Sequence, residues 1–314
     1  MKALITGITG MDGTYLTSFL LSKGYEVYGL VRQGGTANPN WEVPPRVRLI
    51  ECDITNRKEV ESTVERVLPD EIYSLAAVSD YAIYTKDPAG SHLVNGVAPV
   101  LLMEAMRKHT PKCRMFQAGT CQSFGKPSVV PQDETTPFDP PNPYAISKAY
   151  AHAMARYYRS SHGLFVVNGI LYNHESPLRV PAFVTRKISQ GVAAIKTGKS
   201  KELVLGNLDA TRDWGYAGDF VAAYWMTLQQ KTADDYVIGT GERHTVREFV
   251  AEAFSVAGIK DWSKYVRQDE RFMRGSDADL MQANPSKINS IGWKPTVGFK
   301  KIVKMMVEND LKTR

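Results

Sequence analysis

The sequence predicts an α/β fold, a doubly wound parallel sheet beside a smaller, mostly C-terminal substrate domain. Three observations predict it. Short apolar runs alternate with helical periodicity through the first half of the chain, the rhythm of βαβ units whose sheet is covered on both faces. A glycine triplet falls between the first apolar run and the first helix. After residue 172 the alternation loosens, as expected of a second unit beside the sheet.

In order, "KALIT" (2–6) reads as a strand, followed by a helix over about 12–23 and a strand "YEVYGLV" (25–31). "VRLIEC" (47–52), "EIYSLAA" (71–77) and "CRMFQAG" (113–119) are further strand-length apolar runs, with helical segments at about 56–67 and 91–108. A helix over about 143–161 leads into the buried run "LFVVNGIL" (164–171). "NHESPLRVPAFVTRKI" reads as loop then helix, and "RDWGYAGDFVAAYWMTLQQ" (212–230) as loop into helix. A helix near 245–257 and a Pro- and Gly-punctuated end close the chain. Residues 1–167, with about 207–238 returning to the sheet, are expected to form one domain. About 168–206 and 239–314 form the other. Neither an internal repeat nor a low-complexity tract is present.

The chain has 314 residues, enough for one large or two modest domains with a full core. Its apolar content of 43% is ordinary for a globular protein. Without a run of about 18 apolar residues, no membrane span is expected. The N-terminus lacks the features of a signal peptide. Cys52, Cys113 and Cys121 show no paired spacing, which points to reduced thiols and a cytoplasmic setting without structural zinc. The six histidines form no ligand motif, so no metal is expected. The net charge of +6 comes from scattered basic residues. That pattern argues against nucleic acid and suits small phosphorylated ligands.

Gly7, Gly10 and Gly13 in "TGITGMDG" sit at GxxGxxG spacing after the first strand and open the first helix. Glycine there allows a tight turn and a close backbone approach to a pyrophosphate, which meets the free N–H groups of the helix start. The fold is therefore Rossmann-type, and Thr9, Met11 and Asp12 lie in the dinucleotide turn. Across the sheet Leu75, Ala76 and Ala77 are expected to face the same ligand. The second strand ends in Arg32 with no acid, which favours the 2′-phosphate of NADP over the ribose hydroxyl of NAD. Asp53 and Ile54, after the third strand, are placed near the adenine; Asp53 reads equally as an acid at a helix start.

Tyr144 and Lys148 form a YxxxK whose i, i+4 spacing puts both on one helix face. An ammonium beside a phenol favours phenolate, so the pair suits proton removal from a sugar hydroxyl while the cofactor takes hydride. With the glycine turn upstream, the chain resembles the extended short-chain dehydrogenases/reductases. "GITGMDGTYL", "NPYAISKAYA", "NGILYNHESPLR", "FVTRKI" and "GNLDATRDWG" resemble the GDP-mannose 4,6-dehydratases over nearly the whole chain. The resemblance implies a GDP-hexose substrate and a tightly held NADP. In that family C4 is oxidised, a proton leaves C5, water leaves C6, and hydride returns to C6. Matched by motif, Thr120, Tyr144 and Lys148 would handle the C4 hydroxyl. His174 and Arg179 would touch the cofactor. Asn173, Lys187, Arg212 and Arg274 would hold the GDP portion, cations facing its two phosphates. Ser79, Val184, Gly206 and Asp277 are placed along the same substrate. A homodimer is expected, with a tetramer as the alternative.

The chain departs from the family at a few points. Where relatives read Thr-Ser-Glu, it has Thr120, Cys121 and Gln122. The Glu is the C5 base, and an amide cannot take that proton. Four readings stand: an engineered Glu→Gln that traps substrate, a role for the Cys121 thiol, a reaction that no longer involves C5, or loss of catalysis. Relatives also read Gln-Ser-His where this chain has Val78, Ser79 and Asp80, and Pro and Glu stand where it has Gly275 and Asp277. Several such changes together read as natural re-tasking. They keep open a GDP-hexose C4-epimerase, a 4-keto-sugar reductase, or a non-catalytic NADP- or nucleotide-sugar-binding protein.

Overall fold

The computed structural model describes residues 1–34, 43–272 and 281–313. The chain opens with β1 (Lys2–Thr6), α1 (Met11–Ser22), β2 (Glu26–Val31), β3 (Val47–Glu51), α2 (Arg57–Val67) and β4 (Glu71–Ser74). The short helices α3 (Tyr81–Lys86) and α4 (Pro88–His92) run through a π-helical turn (Leu93–Val97) into α5 (Ala98–His109). Next come β5 (Arg114–Ala118), α6 (Pro143–His162), β6 (Phe165–Leu171), β7 (Asn173–Glu175), α7 (Val184–Lys196), β8 (Leu203–Leu205) and β9 (Thr211–Tyr216). The last elements are α8 (Ala217–Leu228), β10 (Asp235–Ile238), β11 (Arg243–Thr245), α9 (Val246–Val256), β12 (Val266–Gln268), α10 (Ser286–Ser290) and α11 (Phe299–Lys312).

Seven parallel strands form the main sheet in the order β10-β6-β5-β4-β1-β2-β3. The winding runs outward from β1 to β3, then restarts on the other side at β4. The carboxyl ends of β1 and β4 therefore part around a crevice, the place where open α/β sheets take ligands. Neighbouring residues on β1 feed opposite cores, as period-2 alternation requires. Ile5 packs with Leu16, Phe116, Phe220 and Tyr224 on the α1/α8 face. Leu4 packs with Ile72, Met103, Met115 and Ala155 on the α2/α5/α6 face. A separate core of Ile188, Phe249, Phe254, Ile302 and Met306 joins α7, α9 and α11. Among the described residues no helix is long and apolar enough to cross a membrane.

The structure departs from the sequence reading at several elements. The run 71–77 stops being a strand at Ser74. The reason is Thr6, whose Oγ1 accepts the N–H groups of Leu75 and Ala76, each at 3.1 Å, and so draws the chain out of the ladder. The helical stretch before β5 begins ten residues earlier than 91, at Tyr81, and is broken into pieces. "NHE" and "TRDWGY" read as loop but are β7 and β9, which pair in parallel while β11 adds antiparallel to β9. A three-residue strand is too short to show alternation, and its partners are remote in sequence.

Candidate active site

The glycine turn fits a dinucleotide pyrophosphate. Gly7 has φ +71°, and a Cβ there would lie 2.8 Å from the Ala76 backbone. A Cβ on Gly13 would lie 2.4 Å from the Gly7 carbonyl oxygen. Gly10 caps α1 with no side-chain bond, so the first N–H groups of the helix remain for an anion. Gly13→Ala is expected to weaken binding of a reduced nicotinamide dinucleotide at least about tenfold in a fluorescence titration, because the Gly7–Ile8 backbone must move. Unchanged affinity would show that the turn does not meet the cofactor.

Asp12, in the first turn of α1, would repel a pyrophosphate, but its charge is already matched. Its Oδ2 lies 2.8 Å from His174 Nε2 and accepts the Tyr224 hydroxyl at 3.0 Å. His174 Nδ1 lies 2.8 Å from the Tyr172 carbonyl, and its ring stacks on Phe220 at 4.4 Å. Burial works to raise the Asp12 carboxyl, and His174 and Arg179 outweigh it and hold the carboxyl below its usual range. Asp12 and His174, expected as separate cofactor contacts, are thus one pair bridging α1 and β7. Thr9 and Met11 precede Asp12 at the same turn. Arg32 is exposed at the end of β2. Asp53 accepts both the N–H and the hydroxyl of Thr55, which lower its pKa, with Arg32 adding to the effect. Ile54 follows it. Leu75, Ala76 and Ala77 continue from β4 across the crevice.

Tyr144 and Lys148 sit on α6, which starts where the Asn142 side chain accepts the Ala145 N–H at 2.9 Å. Lys148 is 2% exposed; its Nζ donates to the Ala118 carbonyl at 2.8 Å and lies 5.9 Å from the Tyr144 ring centroid. Burial pulls its pKa down to about 8. The phenol of Tyr144 was expected below its ordinary pKa, but here it is raised. Burial dominates, while the hydrogen bond with Thr120 and the Arg179 charge pull the other way. Tyr84 of α3 stacks on Tyr144 at 5.8 Å and 22°.

A cavity of about 260 Å³ is lined by Tyr84, the ring that stacks on Tyr144; Thr120, Tyr144 and Lys148 do not line it themselves. It brings together Ser79, Asn173, Val184, Lys187, Gly206 and Arg212, which lie 133 positions apart at the extremes. Cys121 and Gln122 line it as well. Arg212 Nη1 donates to its neighbour's carbonyl at 2.6 Å. Lys187 lies 3.8 Å over the Phe272 ring, and burial lowers its pKa. Arg179 donates to Glu175 Oε2 at 2.8 Å and to the His174 carbonyl. Arg274 and Asp277 lie outside the described residues; Phe272 and Met281, which flank that segment, line the cavity. The sequence reading noted Asp80 only as a departure from the family, and it missed Tyr84, Asn142 and Glu175. Asn142 carries a signal that could have found it, an Asn before Pro at a helix start.

Position 121 offers no base. The Cys121 thiol is 4% exposed, and burial pushes its pKa up to about 12 against the pull of Arg212. At neutral pH that leaves a thiolate fraction on the order of 10⁻⁵, not the few per cent of a free cysteine. Gln122 is oriented by its neighbour. Asn142 uses Oδ1 to cap α6, so its Nδ2 faces Gln122 and donates to Oε1 at 3.3 Å. The amide nitrogen of Gln122 is then the end left for a ligand, a donor where a carboxylate would accept.

The sequence model of the family described as GDP-mannose 4,6 dehydratase matches residues 4–306. GDP-mannose 4,6 dehydratase 2 of Arabidopsis thaliana is 45% identical over 98% of this chain and 86% of its own length. The GDP-mannose 4,6 dehydratase of Homo sapiens is 40% identical over 98% of this chain and 91% of its own. Among solved structures, the Thermus thermophilus UDP-glucose 4-epimerase complex with NAD superposes with a TM-score of 0.84 at 26% identity, covering 99% of both chains.

Proposed function

The chain belongs to the GDP-mannose 4,6-dehydratase family, and on that premise we propose an NADP-dependent enzyme that oxidises C4 of a GDP-hexose, GDP-mannose first, and then removes water. The observation that supports it best is the cavity that Lys187, Arg212 and Asn173 line together with Cys121 and Gln122, which follow Thr120, and with Asn142, which caps the helix bearing Tyr144 and Lys148. The two cations face the pyrophosphate of the sugar nucleotide, and Gly206 lets it pass close to the backbone. Tyr144 takes the proton of the C4 hydroxyl while Thr120 holds that oxygen by a hydrogen bond. Lys148 and Arg179 supply the positive charge that a phenolate needs. When bound, NADP would supply the hydride acceptor for C4. The glycine turn would hold its pyrophosphate, Arg32 its 2′-phosphate, and His174 and Arg179 the nicotinamide end.

On this reading residues 1–167 and about 207–238 form the NADP side, and about 168–206 and 239–314 the nucleotide-sugar side. Exposed Leu93, Ile146, Tyr150 and Tyr157 suit a homodimer, and three free, buried cysteines suit the cytoplasm. Gln122 favours a second reading, C4 redox without loss of water, as in an epimerase or a 4-keto-sugar reductase. Incubation with GDP-mannose and NADP, followed by product mass, decides between them. Loss of one water supports the dehydratase. An unchanged mass with a new stereoisomer supports the epimerase, and NADPH use with a 4-keto sugar alone supports the reductase. No turnover despite bound NADP would leave a binding protein. Arg32→Ala is expected to cut the preference for NADPH over NADH about tenfold by loss of one charge-assisted contact, read as the ratio of dissociation constants. An unchanged ratio would remove Arg32 from the cofactor site.

A further inference from the structure

Loss of water next to a C4 ketone requires a group that takes the acidic C5 proton. Gln122 is an amide, and the Cys121 thiol keeps its proton. Among the described residues, two carboxylates line the cavity, Glu175 and Asp80. Glu175 is 2% exposed and held by Arg179 Nε at 2.8 Å. Asp80 is different. It caps α3 with Oδ1, which accepts the Ala82 N–H at 2.8 Å. Among the described residues its Oδ2 has no hydrogen-bond or ion-pair partner. One turn on, the Tyr84 N–H donates to the Asp80 carbonyl at 3.0 Å, and the Tyr84 ring stacks on Tyr144. Asp80 and the ring packed on the catalytic phenol thus share one face of a single helical turn.

We propose that Asp80 is the carboxylate that removes the C5 proton, taking over the task of the acid missing at position 122; this rests on the dehydratase reading above. The Asp80 carboxylate takes the C5 proton, the C5–H electron pair forms the C5–C6 double bond, and the C6–O bond breaks. Asp80 passes the proton to the departing hydroxyl, which leaves as water. C6 then receives the hydride that left C4. C5 receives a proton from solvent, balanced by the one Tyr144 took from the C4 hydroxyl. The net change is loss of one water. Two positions in one cavity have exchanged character, a carboxylate leaving 122 and one arriving at 80.

The test compares the parent, Asp80→Asn, and Asp80→Asn combined with Gln122→Glu, each with GDP-mannose and NADP in deuterated water. Asn caps a helix as Asp does, so α3 is kept. The parent should give a dehydrated product with one deuterium at C5. Asp80→Asn should still form reduced cofactor on mixing, while water loss falls about 10²–10⁴-fold. The double variant should regain water loss. An Asp80→Asn enzyme that loses water at the parental rate overturns the proposal. So does one that also fails to reduce the cofactor, which would place Asp80 in binding. A parent that turns over GDP-mannose without losing water sinks the dehydratase reading itself, before any variant is needed.

Discussion

Lys148→Met is expected to slow C4 oxidation severely and to stabilise the fold at neutral pH. The catalytic loss follows from the phenol. Burial already raises the Tyr144 pKa, so removing the nearest ammonium on its own helix should cost about 10²–10⁴ in the rate of cofactor reduction. The gain in stability follows from the same burial. Folding moves Lys148 from its ordinary value of 10.5 to about 8. Between those values the unfolded chain binds more protons than the folded one, so this group's contribution improves as pH rises from 8 to 10.5. Below pH 8 the full penalty is present, about 3 kcal/mol from the shift of about 2.5 units. Met fills similar space without charge, and the Ala118 carbonyl keeps its bond from Gln117 Nε2 at 3.0 Å. Urea midpoints of both proteins at pH 7 and pH 10.5 check this. The variant should be the more stable at pH 7, with the gap closing toward pH 10.5. A less stable variant at pH 7 would mean that the Lys148 bond to Ala118 outweighs the cost of burying the ammonium.

The second large effect is structural. Asp235→Ala is expected to cost about 3–5 kcal/mol, the usual result of removing one partner of a buried ion pair. Asp235 is 6% exposed on β10. Its Oδ1 accepts from Arg159 at 2.7 Å and Asn168 at 2.8 Å, and its Oδ2 lies 3.3 Å from His152. His152 and Arg159 belong to α6, so this carboxylate ties the helix that carries Tyr144 and Lys148 to the edge of the sheet. Burial works to raise the Asp235 pKa, but His152, Arg159 and Asn168 hold it well below the carboxylate range. Its folded value being depressed, the stabilisation is full above the unfolded pKa of about 3.9 and is lost as pH falls toward the folded value. Chemical denaturation at pH 7 and pH 3 should show the parent losing part of its advantage over the variant in acid. An equal gap at both pH values would argue that the carboxylate is not the charged partner.

Much of this protein is legible locally. The glycine turn announces itself because its task is a backbone task, and only glycine fits against Ala76 and the Gly7 carbonyl. Six of the seven sheet strands read as apolar runs, β10 being the exception, and Tyr144 and Lys148 meet because four residues make about one helical turn. Other features were not legible. β9 carries Arg212 to the cavity wall, yet its pairing with β7 and β11 depends on chain remote from it. Asp12 reads as a cofactor contact until His174, 162 residues later, is seen to neutralise it.

By itself, then, the sequence determined the parallel sheet, the dinucleotide turn, the phenol–ammonium helix, the family and the missing carboxylate at 122. Those rest on periodicity, backbone freedom and residue type, which are properties of neighbours in the chain. Only the tertiary structure decided the fate of the protons. It buried Cys121 until its thiol ceased to be a base, turned the Gln122 amide by means of the cap of α6, and placed Asp80 one turn from the ring that packs on Tyr144. Proton affinity depends on solvent exclusion and on charges brought close from elsewhere, and neither exists before the chain has folded.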